Sequence, residues 1–163
     1  MIRDARPDDL PALTALYNHY VEHDHCTFDA TPLTLEQRRV WFEHHAPTGR
    51  HRLFVATDGD RLLGYASSSP HRPKPGYATS VETSVYVAHD VRGQRIGSQL
   101  YTALFAALEG QDLHRALAGV ALPNPGSVAL HLRFGFTSLG TFDEVGRKFG
   151  KYWSVQWFQR PLA

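Results

Sequence analysis

The run Arg92-Gly93-Gln94-Arg95-Ile96-Gly97 carries the clearest chemistry in this chain. Before it, Val81, Val85 and Val87 alternate with Glu82, Ser84 and Tyr86; after it, Leu100, Leu104 and Leu108 recur at helical spacing. A strand, a glycine-bearing loop and a helix in that order leave backbone N–H groups unbonded at the positive end of the helix dipole. Such donors solvate a diphosphate, and Arg92 and Arg95 add charge-assisted ones. Taken alone, the run is equally well an ordinary strand-to-helix turn. It lacks the Gly-Lys-Ser/Thr ending of a triphosphate loop and the G-x-G-x-x-G dinucleotide fingerprint.

Other reactive residue types are sparser. Asn124-Pro125-Gly126 suits a cap or Asx turn ahead of a helix seeded by Ser127. His131, on the inner face of that helix, has an imidazole that titrates near neutrality. Arg72 and Lys74 stand in a proline-rich loop and, without further information, read as solvated cations. His23-x-His25-Cys26 gathers donor atoms but no fourth ligand, so no metal is expected. Cys26 has no cysteine-protease context and reads as a quiet, partly buried thiol.

Positioning these groups requires a mixed architecture. Residues 2–7 predict a first strand, and Leu10, Leu13, Leu16, Tyr17 and Tyr20 a helix started by Asp8 and Asp9. Thr34 and Gln37 have capping-box spacing for a second helix through about His45. Residues 52–57 and 61–69 form a hairpin about Asp58-Gly59-Asp60, and residues 70–76 are a proline-rich loop. A strand over 80–88, a helix after Gly97, a strand over 113–120 and a helix over 127–134 follow, closed by strands over 137–143 and 152–158. The expected fold is α/β, a single domain over 1–163 with a mixed sheet flanked by helices.

Bulk properties narrow the function classes. The 163 residues suffice for one domain with a sizeable core, and 42% hydrophobic with 20% charged residues fits a globular chain. Seventeen Lys plus Arg against sixteen Asp plus Glu leave a net charge of +1, so neither nucleic acid nor an anionic membrane is expected as partner. The lone cysteine excludes an internal disulfide and fits a reducing compartment. The charged start lacks an apolar signal region, and no apolar run reaches the roughly 18 residues of a spanning helix. A cytoplasmic protein is expected.

The block 91–100 resembles the coenzyme A loop of the GCN5-related N-acetyltransferase (GNAT) superfamily, with Arg95 where that loop carries a glycine. Tyr17-Asn18-His19-Tyr20-Val21, Thr27-Phe28 and Val81-Glu82-Thr83-Ser84-Val85-Tyr86-Val87 resemble its phosphinothricin and methionine sulfoximine acetyltransferase branch. So do Leu122-Pro123-Asn124-Pro125-Gly126-Ser127, Leu130-His131, Phe134-Gly135-Phe136 and Val145-Gly146-Arg147-Lys148-Phe149-Gly150. Ser154 departs, standing where the branch usually has Asp.

The resemblance implies acetyl-CoA as cosubstrate and a small primary amine with an acidic group as acceptor. It implies Glu82 as general base and His131 near the departing thiolate, orienting the acceptor or returning a proton. Val85 and Val87 would pair with the pantetheine arm through their backbone. Arg92, Gly93, Gln94, Arg95, Ile96, Gly97 and Ser98 would hold the diphosphate, with Asn124 and Ser127 near the arm. Arg72 and Lys74 would face the acceptor's acid, with Phe28 and Tyr77 as its apolar wall, and a homodimer is implied. The rival readings are a peptide or protein N-acetyltransferase and a noncatalytic acyl-CoA-binding regulatory module.

Overall fold

Alternation along one strand shows how the chain divides its core. In β2 (Leu53–Asp58), Leu53 and Val55 pack with Leu13 and Tyr65 on one side of the sheet. Phe54 and Ala56 pack with Leu100 and Leu104 on the other. Successive strand side chains point to opposite faces, so a run buried throughout must lie between two helical layers. The computed structural model describes residues 1–162 and shows those layers. Helices α1 (Leu10–His23) and α2 (Leu35–Glu43) cover one face, and α3 (Ile96–Leu108) and α4 (Pro125–Arg133) the other.

Among the described residues, seven strands form one sheet. They are β1 (Ile2–Asp4), β2, β3 (Arg61–Pro70), β4 (Ser80–Val87), β5 (Arg115–Ala121), β6 (Thr137–Lys148) and β7 (Lys151–Pro161), in the order β1-β2-β3-β4-β5-β7-β6. Every neighbouring pair is antiparallel except β4 and β5, which are parallel. The expected mixed sheet with helices on both faces is therefore present. Leu100, Leu104 and Leu108 form the buried stripe of α3.

Several boundaries move, each for a local reason. β1 ends at Asp4 rather than residue 7, because Pro7–Asp9 make a single 3₁₀ turn. Asp9 stands at the N-cap of α1 without capping it through its side chain. Its carboxylate instead takes two hydrogen bonds from Arg3, at 2.7 and 2.9 Å, and one from the Arg6 N–H. The capping box of α2 is formed, with the Thr34 hydroxyl accepting from Gln37 N–H and Gln37 Oε1 from Thr34 N–H. That helix ends at Glu43, short of His45. β5 starts at Arg115, and α4 starts at Pro125, a residue suited to the first helical turn.

The largest difference lies at the end of the chain. β6 and β7 run to Lys148 and Pro161, well beyond residues 143 and 158. A bulge breaks their register between Phe142 and Gly146, with Glu144 at φ 52°, so strand alternation fails there while pairing resumes beyond it. Ser154 Oγ accepts from the Glu144 N–H at 3.0 Å, which gives this departure from the branch a structural role. Phe149 (φ 53°) and Gly150 (φ 69°) close the hairpin as a two-residue turn with both φ positive.

Lys148 then ties this hairpin to a segment more than 120 residues earlier in the chain. It is 5% exposed, and its ammonium donates to the carbonyls of Tyr20 (3.3 Å), Asp24 (2.6 Å) and Thr27 (2.8 Å). Those carbonyls belong to the end of α1 and the segment after it, where the helix dipole favours a cation. The clamp also brings Phe28 against Gly146, where any Cβ would collide with the Phe28 ring.

Candidate active site

β4 and β5 pair only at Ser80↔Arg115, Val81↔Ala116 and Glu82↔Leu117. Both strands continue, β4 to Val87 and β5 to Ala121, without further pairing between them. The sheet therefore splays open just beyond Glu82. A cleft of about 630 Å³ fills the gap, lined by residues of both strands, the 91–98 segment and α4. Tyr20 and Cys26 line it from the α1 side, and Tyr101 and His131 from the α3 and α4 side, so the opening passes through the sheet.

The backbone inside this gap has a definite polarity. Ala88 N–H donates to the Leu63 carbonyl on β3, so by strand alternation the amide groups of Val87 and Val85 face the gap. The Tyr20 hydroxyl donates to the Val87 carbonyl, and Arg92 Nη2 donates to the Tyr20 oxygen at 2.9 Å. Arg92 also lies 3.8 Å from Asp24. Thus α1 fixes one end of the exposed β4 edge, while Val85 stays beyond any β5 partner.

The loop between β4 and α3 is sharply bent. Gly93 has φ 82° and Arg95, the N-cap of α3, has φ 61° and ψ 15°. The glycine of the related loops is thus replaced by an arginine that still adopts the left-handed conformation. Gly93, Arg95, Ile96, Gly97 and Ser98 line the cleft together with Arg92. Gln94 does not, and its N–H is turned back to the Val91 carbonyl at 3.4 Å. Arg95 has no carboxylate within ion-pair distance among the described residues. It shares a smaller recess with Ser98, Thr102, Arg133 and Phe134, where Arg133 Nη1 donates to Ser98 Oγ at 3.2 Å.

A buried polar chain supports the other wall. Asn124 caps α4, its Oδ1 accepting from Ser127 N–H at 3.2 Å, and both residues line the cleft. The Ser127 carbonyl, 2.7 Å from His131 Nδ1, can only accept, so that nitrogen carries the proton. His131 Nε2 then accepts from the Tyr101 hydroxyl at 2.9 Å, and Thr83 reaches the same hydroxyl at 3.2 Å. Burial lowers the His131 pKa, only partly opposed by the Ser127 carbonyl, and it raises the Tyr101 pKa. His131 is neutral at pH 7 with both nitrogens engaged. Cys26 also lines the cleft, its thiol pushed up to about 12 by burial first and Asp24 second.

The residues expected on the acceptor side lie apart from this cleft lining. Thr83, Val85 and Val87 face α3, whereas Glu82, Ser84 and Tyr86 face α1 and α2. Glu82 occupies the closed end of the splay, its side chain 35% exposed. Desolvation raises its pKa, and the neighbouring His71 and Arg72 pull it back. Arg72, Lys74 and Tyr77 are exposed on the loop after β3, and Phe28 is half-buried over Gly146. None of the five lines the cleft. Tyr20, Tyr101 and Arg133 were not anticipated from the sequence. The two tyrosines sit at ordinary core positions of their helices and Arg133 in the last turn of α4, with no local spacing to distinguish them.

A family model described as an acetyltransferase (GNAT) domain matches residues 2–157. The chain belongs to the GNAT acetyltransferase family. A phosphinothricin N-acetyltransferase from Streptomyces coelicolor is 56% identical over 163 residues, covering 99% of this chain and 95% of the relative. An L-methionine sulfoximine/L-methionine sulfone acetyltransferase from Pseudomonas paraeruginosa is 38% identical, covering 99% and 94%. An acetyltransferase from Salmonella typhimurium, solved with its cofactor acetyl-CoA, superposes with a TM-score of 0.94 at 30% identity, covering 100% of this chain and 94% of that one. This GNAT protein is an acetyl-CoA-dependent N-acetyltransferase.

Gly97 offers a direct test of the loop as the diphosphate site. A Cβ there would lie 3.4 Å from Leu130 Cδ2 and 3.8 Å from the Val85 and Val87 methyls, ordinary contacts that leave room for alanine. A longer acidic side chain must enter the cleft and repel the diphosphate. Calorimetric titration should show Gly97→Ala near wild-type affinity for acetyl-CoA and Gly97→Asp weaker by about tenfold or more. Unchanged affinity in folded Gly97→Asp would remove the loop from the site.

Proposed function

We propose that this GNAT enzyme acetylates the primary amine of a small amino-acid-like molecule bearing an acidic group, of the phosphinothricin or methionine sulfoximine kind. The observation that carries the reading is the half-buried Glu82 carboxylate at the closed end of a gap that opens to both faces. Such a gap lets donor and acceptor approach from opposite sides, so neither must displace the other. The curated relatives, named for those two amino-acid-like substrates, support the choice of acceptor.

In this reading, Gly93, Arg95, Ile96, Gly97 and Ser98 hold the diphosphate with Arg92, and Gln94 shapes the turn. Val85 and Val87 take the pantetheine arm on their free amide edge, beside Asn124 and Ser127. Bound acetyl-CoA supplies an acetyl thioester, whose carbonyl carbon receives the amine as its C–S bond breaks, coenzyme A leaving as the thiolate and taking up the second proton that the new amide nitrogen sheds. Glu82 removes a proton from the acceptor's ammonium, directly or through water: the N–H bond breaks, an O–H bond forms on the carboxylate, and the lone pair stays on nitrogen. His131, with no free nitrogen, orients Tyr101 and Thr83 at the wall rather than moving the proton. Phe28 and Tyr77 flank the acceptor, while Arg72 and Lys74 meet its acidic group.

Leu139, Phe142 and Val145 are each more than half exposed on the outermost strand β6 and support a homodimer. The even charge and single cysteine support the cytoplasm as its location. Sedimentation at the mass of one chain would refute the dimer, and fractionation away from a cytosolic marker would refute the location.

Glu82→Gln preserves shape and removes the proton-accepting charge. Acetyl-CoA binding should persist while transfer at pH 7 falls by roughly 10²–10⁴, with recovery at higher pH as the acceptor arrives deprotonated. In the wild type, the raised Glu82 pKa means kcat/KM declines on acidification sooner than an ordinary glutamate would cause. Wild-type transfer by folded Glu82→Gln at saturating acceptor would dismiss this residue as the base.

Selectivity tests the two loop cations. Both are exposed, and a solvated ion pair contributes about 0.2–1 kcal/mol, so Arg72→Ala or Lys74→Ala should cost a carboxylate-bearing amine about two- to fivefold in kcat/KM. A neutral analogue should lose less. Equal losses for both acceptors would reject recognition of the acidic group by these side chains.

A further inference from the structure

One buried polar atom beside Glu82 has no partner. His71 is the first residue after β3, its side chain only 14% exposed and its ring 5.6 Å from that of Tyr77 in an edge arrangement. Its Nδ1 is sealed from solvent and makes no hydrogen bond. A buried imidazole nitrogen in that state is costly, because it has lost water and gained nothing in return. The nearest acid is Glu82, whose Oε1 lies 3.7 Å from that nitrogen, beyond hydrogen-bond length yet close enough to aim at it.

Among the described residues, His71 is the imidazole that lies within 4 Å of this carboxylate. Glu82 pairs across the sheet with Ser69 of β3 and with Leu117 of β5. The Ser69 hydroxyl is engaged by His45, which follows α2 and whose Nδ1 is held by the Trp41 carbonyl. Burial lowers the His45 pKa to about 4, so that ring brings no charge to the cluster at neutral pH. Arg72, the next residue of the same loop, is the other charged group acting on Glu82 and is itself exposed. Catalytic hydrogen bonds are often long before substrate docks and shorten in the reactive complex.

We propose that His71 is the positioning residue of Glu82, its Nδ1–H donating to Oε1 during turnover to aim the carboxylate and keep it ionised. The proposal rests on Glu82 being the base. A donor on the ionised form favours that form, so His71 enlarges the fraction of enzyme ready to accept the acceptor's proton at neutral pH. It also explains how a carboxylate partly withdrawn from water remains usable as a base. The loop that bears Arg72 and Lys74 then does two things: its start sets the base, and its exposed middle meets the acceptor.

The test is the pH profile of kcat/KM for wild type, His71→Phe, His71→Asn and Glu82→Gln, with acetyl-CoA and a carboxylate-bearing amine. Phenylalanine keeps the ring against Tyr77 but deletes Nδ1, whereas asparagine offers an amide N–H near the same place. His71→Phe should move the acid limb to higher pH by about one unit, lowering activity about tenfold on the acid side of that limb while the high-pH plateau is largely kept. His71→Asn should return the limb toward wild type. KM for acetyl-CoA should hold in both variants, since His71 does not line the coenzyme cleft. A profile lowered uniformly by His71→Phe without movement of its limb, or one superimposable on wild type, overturns the proposal while leaving Glu82 in place. An active Glu82→Gln with the wild-type limb would instead overturn the base assignment, and this proposal with it.

Discussion

Three residue pairs of parallel ladder hold the two halves of the sheet together. β1 to β4 form an antiparallel block on one side, and β5 to β7 another, and only Ser80–Glu82 against Arg115–Leu117 joins them by strand pairing. A longer ladder would strengthen the fold and close the gap between β4 and β5. A shorter one would leave the halves to be joined by helices and loops alone. Ending the pairing at Glu82 and Leu117 leaves N–H and C=O groups of both strands facing a cleft, where a bound chain can take them up. The weakest seam of the sheet is thus also where its backbone groups stand open to the cleft.

An opening through a core creates a demand for polar satisfaction, because every group turned into it has been taken partly out of water. The structure meets the demand mostly with neutral hydroxyls and imidazole. Thr83, Tyr101, His131 and the Ser127 carbonyl link β4, α3 and α4 without a formal charge. On the other face, Tyr20 joins Arg92 to the Val87 carbonyl. Charge is kept for the margins: Arg95 and Arg133 at the start of α3, Glu82 at the closed end, and Lys148 wrapped in carbonyls under the α1 terminus. A neutral wall with charged margins suits a transfer in which one reactant brings phosphates and the other must lose a proton.

What was legible in the sequence followed from local chemistry. The capping box at Thr34 and Gln37, the hairpin about Asp58-Gly59-Asp60 and the strand–loop–helix order around Gly97 each depend on neighbours a few residues apart. Family-like blocks extended this to Glu82, Asn124 and His131. What stayed hidden depends on distant partners. Lys148 reads as a surface cation until three carbonyls from residues 20–27 are brought to it. β6 seems to stop near Asp143 because a bulge at Glu144 interrupts its alternation, and Ser154, ten residues on, supplies the acceptor that holds the bulge. His71 belongs to a proline-rich loop by sequence and to Glu82 only by folding. Gln94, central in the motif, turns its N–H away from the cleft, since a loop of this curvature cannot aim every residue at one ligand.

Arg95 shows how one position can serve opposing demands. Its left-handed backbone costs a side-chain-bearing residue about 1–2 kcal/mol that glycine would not incur. The bend itself is required, because it brings the chain from the end of β4 into α3 with the first N–H groups of the helix facing the cleft. Glycine would satisfy the backbone and contribute no charge. Arginine keeps the same amide donor and adds a guanidinium that has no acidic partner among the described residues, placed where the cleft meets the Arg133 recess. Arg133 shares that recess and donates to Ser98 Oγ, so the strained turn lies beside two cations.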